Sequence, residues 1–118
     1  MPQTIYKIAK AADWREAIAK GHFSGSADDV RDGFIHLSTK QQLRGTLEKH
    51  FRGETDLVLI AFEQEKLGPE LRWEASHGGD IFPHLYGNLP ASQMLWQRTL
   101  PLAAAGDIPL VDEQWFTC

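Results

Sequence analysis

Three short stretches hold the side chains best suited to chemistry. In DGFIHLST, a strand from Phe34 to Ser38 puts Phe34, His36 and Ser38 on one face and Ile35 and Leu37 on the other. Thr39 follows where the strand gives way to a helix N-terminus, whose free N–H groups attract a phosphate or carboxylate to the side of His36. The plainer alternative is a satisfied histidine at the edge of the core, with Ser38 and Thr39 only capping the helix. In FPHLYG, Phe82, His84 and Tyr86 share one face of a short extended piece. A neutral imidazole and a phenol can hold sugar hydroxyls, polarise a phosphate or move a proton near neutral pH. A surface hairpin with a packed tyrosine explains the same residues. In RWEASHGG, Trp73 can stack on a planar ligand ring while Glu74, on the other face, acts as acid, base or cation stabiliser. A tryptophan in a strand also suits a core.

Other chemistries find less support. His22, His36, His50, His77 and His84 are scattered, and no two share the one-turn or alternate-residue spacing of metal ligand pairs. No metal site is expected, although a metal-assisted hydrolase using His36 and His84 remains the third reading. The single cysteine, Cys118, is the last residue, which rules out an internal disulfide. There is no Gly-x-Ser-x-Gly nucleophile turn, no dinucleotide glycine fingerprint and no P-loop. GHFSGS has the small residues of a phosphate loop without its spacing, and Glu63-x-Glu65 reads as a solvated loop start.

The elements that must position these residues follow from periodicity. Thr4 to Ala9 reads as a first strand. Asp13-x-x-Glu16 has the form of a capping box for a helix that carries Trp14, Ala17 and Ile18 and stops at Gly21. Gly21 to Gly33 is dense in Gly, Ser and Asp and reads as a loop of about a dozen residues, long enough to be functional. Thr39-x-x-Gln42 is a second capping box, ahead of an amphipathic helix with Leu43, Leu47, His50 and Phe51, ending at Gly53. Leu57 to Phe62 is apolar on both faces and should be the central strand. Leu71 to Ala75 alternates, Gly78-Gly79 and Pro83 punctuate the next piece, and Met94 to Leu100 forms a last strand before a Pro- and Gly-broken tail. Two main helices and five or six strands make an α+β domain.

Composition limits what this domain can bind. The 118 residues, 42% hydrophobic and 24% charged, fit one domain over residues 1–118. No apolar run has the roughly 18 residues of a membrane span, and MPQTIYKIAK lacks a signal-peptide core, so a cytoplasmic protein without membrane contact is expected. Net charge is -4, and from Ile60 onward Lys66, Arg72 and Arg98 face eight acidic residues. An extended nucleic-acid groove is therefore disfavoured, whereas a local site for one phosphate is not. A small molecule or nucleotide is the expected partner.

The ordered set IYKI, W-x-x-A-x-x-x-G, DGFIHLST, HF-x-G-x-x-DLVLI, LG-x-x-L-x-WE and FPHLYG resembles domain-of-unknown-function family 952, over nearly the whole chain from Ile5 to about Leu100. That family in turn is similar to the ADP-ribosyltransferase fold, and most of all to the NAD-dependent RNA 2′-phosphotransferases. His36, Leu37 and Ser38 match their His-Leu-Ser strand. Tyr6 and Lys7 fall near the position of a nucleotide-binding histidine, and Phe82 to Gly87 where a core strand meets the ligand. The resemblance implies a split, mixed β-structure around NAD. It also implies a cleft lined by Tyr6, Lys7, His36, Ser38, Thr39, Trp73, Glu74, His84 and Tyr86. His36 would bind ribose or phosphate, and Trp73 or Tyr86 would stack on the base. Glu74 would stabilise a cationic transition state, with His84 as general acid/base. The chain departs from those enzymes in lacking the first-strand histidine and in carrying only Arg72 and Arg98 as arginines in its acidic half. The alternative expectation is a non-catalytic ligand-binding or interaction module that kept this scaffold.

Overall fold

A computed structural model of the chain describes residues 3–51, 54–75 and 79–100. The expected helix stop at Gly53, His77, Gly78, the broken tail after Leu100 and Cys118 lie outside these residues.

The run LVLIAF becomes β4 (Leu57–Glu63), and its residues up to Phe62 are buried on both faces, as an all-apolar strand requires. It lies between β1 (Thr4–Lys10) and β8 (Met94–Thr99) in an antiparallel sheet of order β1-β4-β8. On one face Ile5, Ala9, Val58, Ile60 and Phe62 pack with Trp14 and Ala17 of α1 (Ala11–Lys20) and with Ile35, Leu37 and Leu85. On the other face Tyr6, Ile8, Leu57, Leu59 and Ala61 pack with Leu43 and Leu47 of α3 (Leu43–His50). Each fully buried large aliphatic or aromatic side chain stabilises the fold by about 1.5–3 kcal/mol relative to exposure.

The remaining strands form two smaller antiparallel sheets. β2 (His22–Phe23) pairs with β7 (Leu89–Pro90). β3 (Ile35–His36), β6 (Ile81–Leu85) and β5 (Leu71–Ala75) form a sheet of order β3-β6-β5. A bridge joins this sheet to the first: Tyr6 N–H donates to Ser38 O at 2.8 Å, and Ser38 N–H donates to Tyr6 O at 2.9 Å. The β-structure is thus split as expected, but every ladder among the described residues is antiparallel and not mixed. The described residues form an α+β fold, and none of their helices is long and apolar enough to cross a membrane.

Two local readings change. Helix α1 begins at Ala11, so Asp13 sits in its first turn, where its charge favours the helix dipole, and does not cap it. The presumed loop from Gly21 to Gly33 contains both β2 and a third helix, α2 (Ala27–Asp32). Six residues cannot sustain an apolar period, so α2 rests on its ends. Ser26 Oγ accepts the Asp29 N–H at 3.3 Å, and Asp29 Oδ2 accepts the Ser26 N–H at 2.9 Å. Gly33, at φ 89°, then turns the chain left-handed into β3, a conformation costly for any residue with a Cβ. The second expected box does form: Thr39 N–H donates to Gln42 Oε1 at 3.0 Å, at the start of a 3₁₀ turn (Lys40–Gln42) that leads into α3.

Candidate functional site

His36 and His84 stand directly opposite each other in the register of β3 and β6, with ring centroids 5.7 Å apart. Phe34 lies against both. It stacks on His84 at 4.1 Å and 22° and tilts against His36 at 4.7 Å, so the two imidazoles share one aromatic wall. Alternation in DGFIHLST and FPHLYG sets the face of each ring, and the pairing of β3 with β6 brings the two together.

Behind His84 stands Glu74 of the neighbouring strand. Its Oε1 lies 2.8 Å from His84 Nδ1 and accepts the Tyr86 hydroxyl at 2.7 Å. The hydrogen bonds from His84 and Tyr86 hold the Glu74 carboxyl below its usual range, so it is an acceptor only. Nδ1 must then be the donor, which fixes the tautomer and leaves the Nε2 lone pair for the cleft that His84 lines. The bond to Glu74, followed by desolvation, raises the Tyr86 phenol in turn. Arg72 covers the Tyr86 ring at 5.1 Å.

Behind His36 stands α2. Asp29, 2% exposed, holds Oδ1 2.6 Å from His36 Nδ1 and accepts the His36 N–H on the same oxygen at 3.1 Å. Its Oδ2 accepts from Lys7 Nζ at 2.8 Å. Lys7 also donates to His36 O at 3.1 Å and is itself buried on the apolar face of β1. Burial alone would raise the Asp29 carboxyl. The hydrogen bond from His36 and the charge and hydrogen bond of Lys7 outweigh it and hold the group well below the carboxylate range. Burial pushes the Lys7 ammonium down, against the pull of Asp29. One turn further along α2, Asp32 Oδ2 lies 3.0 Å from His36 Nε2. His36 is therefore engaged at both nitrogens, whereas His84 keeps one open.

The cleft has two compartments that meet at His36, Ser38, Thr46 and His50. Ser38 Oγ and Thr46 Oγ1 bond each other at 2.9 Å between them. The first compartment, about 430 Å³ of empty space, is lined by Lys7, Asp28, Asp29, Arg31 and Asp32 among others. The second, about 460 Å³, is lined by Leu37, Gly45, Lys49, Phe82 and His84 in addition to the shared residues. No carboxylate is among the described residues lining this second space.

Several expected site residues lie elsewhere. Tyr6 is buried against Trp96, with ring centroids 5.9 Å apart, and reaches the site through its backbone bonds to Ser38. Thr39 spends its N–H on Gln42 and is not among the residues lining the cleft. Trp73 is paired with Pro83 on edge strand β5 and points away from Glu74, as strand alternation dictates. Glu74 and Tyr86 back the cleft and do not line it. Sequence reasoning passed over Asp29, Asp32, Thr46 and Lys49 and gave His50 no role beyond its place on a helix. The one available signal was Ser26-x-x-Asp29, a capping pattern that also sets Asp29 and Asp32 three residues apart on one helical face.

The DUF952 family, described as "Protein of unknown function (DUF952)", matches residues 8–97. The chain belongs to this family. It is also 50% identical to protein CC0527 from Caulobacter crescentus, whose crystal structure superposes with a TM-score of 0.85 over 91% of this chain and 93% of that one. A double-mutant crystal structure of CC0527 gives the same values, and its solution NMR structure a TM-score of 0.78 over 89% and 90%. Among curated proteins none is similar to this chain. The DUF952 match takes in His36, Glu74 and His84 and leaves Tyr6 and Lys7 outside.

Proposed function

We propose that the cleft between β3, β6 and α3 binds a nucleotide, with NAD the specific candidate, and that His84 acts there as a general acid/base. The carrying observation is the opposed pair: His36 and His84 face one cleft, each with Nδ1 on a carboxylate, and only His84 keeps a nitrogen open. Nε2 of His84 can take a proton from a ligand hydroxyl, and the Glu74 carboxylate stabilises the imidazolium that results. This arrangement favours phosphotransferase-type proton chemistry over ADP-ribosyl transfer. An oxocarbenium ion needs a carboxylate facing the sugar, and Glu74 faces His84 and Tyr86 instead.

Thermal unfolding with NAD in millimolar excess, followed by assay for nicotinamide release over hours, tests the reading. Binding at a hundred times Kd stabilises by about 2.7 kcal/mol, a Tm rise of several degrees. No shift and no nicotinamide would overturn the NAD assignment. A shift that His84→Ala weakens, with no turnover in the parent protein, would favour the alternative of a non-catalytic binding module on the same scaffold. The metal-assisted hydrolase has less support, because among the described residues no group of three or more His, Cys, Asp or Glu is placed to hold a metal ion.

A further inference from the structure

The charges around the cleft are sorted by position. Asp29 and Asp32 stand behind His36, and Glu74 stands behind His84, so each carboxylate meets the rear or flank of an imidazole. The second compartment has His36, His50, His84, Lys49, Ser38 and Thr46 in its lining, beside the apolar Leu37 and Phe82. His84, 6% exposed, lines this space, and its Nε2 has no partner among the described residues. Lys49 forms no ion pair among them either. A Cβ at Gly45 would meet nothing within 4 Å, so the floor beside Thr46 is open.

We infer that this compartment is the seat of a terminal phosphate group, held by Lys49 and His50, and by His84 once its Nε2 is protonated. The inference rests on the nucleotide reading above but not on NAD, whose two phosphates are bridged in a pyrophosphate, and it narrows that reading to nucleotides with a phosphate monoester. A phosphate monoester carries up to two negative charges and three acceptor oxygens, and here it meets an ammonium, imidazoles and hydroxyls with no lining carboxylate to repel it. His50 makes binding sensitive to pH. Partial desolvation and then the neighbouring Lys49 and His36 lower its pKa, with Lys7 acting the same way and Asp28 opposing them. His84 faces it across the compartment, and Arg31 and Asp32 line the adjoining one. An arriving dianion favours the protonated ring, so binding takes up a proton and weakens as pH rises past the histidine range.

The test is isothermal titration, in phosphate-free buffers of different ionisation enthalpy, with inorganic phosphate, adenosine and 5′-AMP as probes. The parent protein and the Lys49→Gln and His50→Gln variants are compared, both changes being at the exposed last turn of α3. The expected result is 5′-AMP binding at least about tenfold tighter than adenosine, with proton uptake, a margin that both substitutions largely erase while adenosine affinity holds. Adenosine binding as tightly as 5′-AMP would overturn the phosphate seat and leave the nucleotide reading standing. Inorganic phosphate binding that needs Lys49 and His50, with no gain from the nucleoside, would support the seat and remove the nucleotide. No binding of any probe would overturn both.

Discussion

At the scale of single residues, the site depends on carboxylates that fix the imidazoles. Asp29 and Lys7 are the most consequential, because removing one member of a buried ion pair leaves the other charge uncompensated. Lys7→Met should destabilise by about 3 kcal/mol, a Tm loss of ten degrees or more that thermal unfolding reads directly. The acid limb carries the same signature. The folded carboxyl of Asp29 titrates below its unfolded value of about 3.9, so its contribution is complete above that value and drains away as pH falls toward the folded one. Acid unfolding should therefore be steeper in the parent than in Asp29→Asn. Tyr86 offers an optical check on the other pair. Its phenol is raised by Glu74, so Glu74→Gln should bring one phenolic transition down toward pH 10 in an absorbance titration. The strand faces of His36, Glu74, His84 and Tyr86 were legible in the sequence from alternation, but their meeting depends on the pairing of β3, β6 and β5. Asp29 was not, because its role depends on a contact with β1, twenty-two positions away.

At the scale of elements, the long regular pieces followed from pattern and the short ones did not. β4 is apolar from Leu57 to Phe62, α3 has clear helical spacing, and both formed close to where periodicity put them, α3 after a 3₁₀ turn. Helix α2 has no apolar stripe and exists through its cap, its glycine end and the ion pair beneath it. Ser26→Ala should cost about 1 kcal/mol through the lost cap. It should also loosen Asp29, so that the His36 ring resonances broaden or shift while those of His84 stay in place. Gly25 is a second control point: at φ 115° with a built Cβ only 2.9 Å from the Asp29 Cβ, Gly25→Ala combines backbone strain with pressure on that carboxylate. Trp73 shows the opposite failure. Its position on β5 was read correctly, but its partner face could not be, since edge placement and sheet order are set by long-range pairing.

At the scale of the whole molecule, the net charge of -4 is compatible with the proposed phosphate seat because the acidic residues of the cleft line its first compartment and none lines the second. On the proposed reading, bulk charge disfavours a broad nucleic-acid surface and leaves room for one phosphate-bearing ligand. The central claim is that His36 and His84 work as one site in which His84 alone holds an open nitrogen. Long-range ¹H–¹⁵N spectra of the imidazoles, recorded near pH 7.5 with and without NAD, test it most directly. The prediction is an Nδ1-protonated His84 in the free protein, with His36 and His84 signals moving together as NAD is added. An Nε2-protonated His84, or NAD-induced shifts that spare both rings, would contradict it.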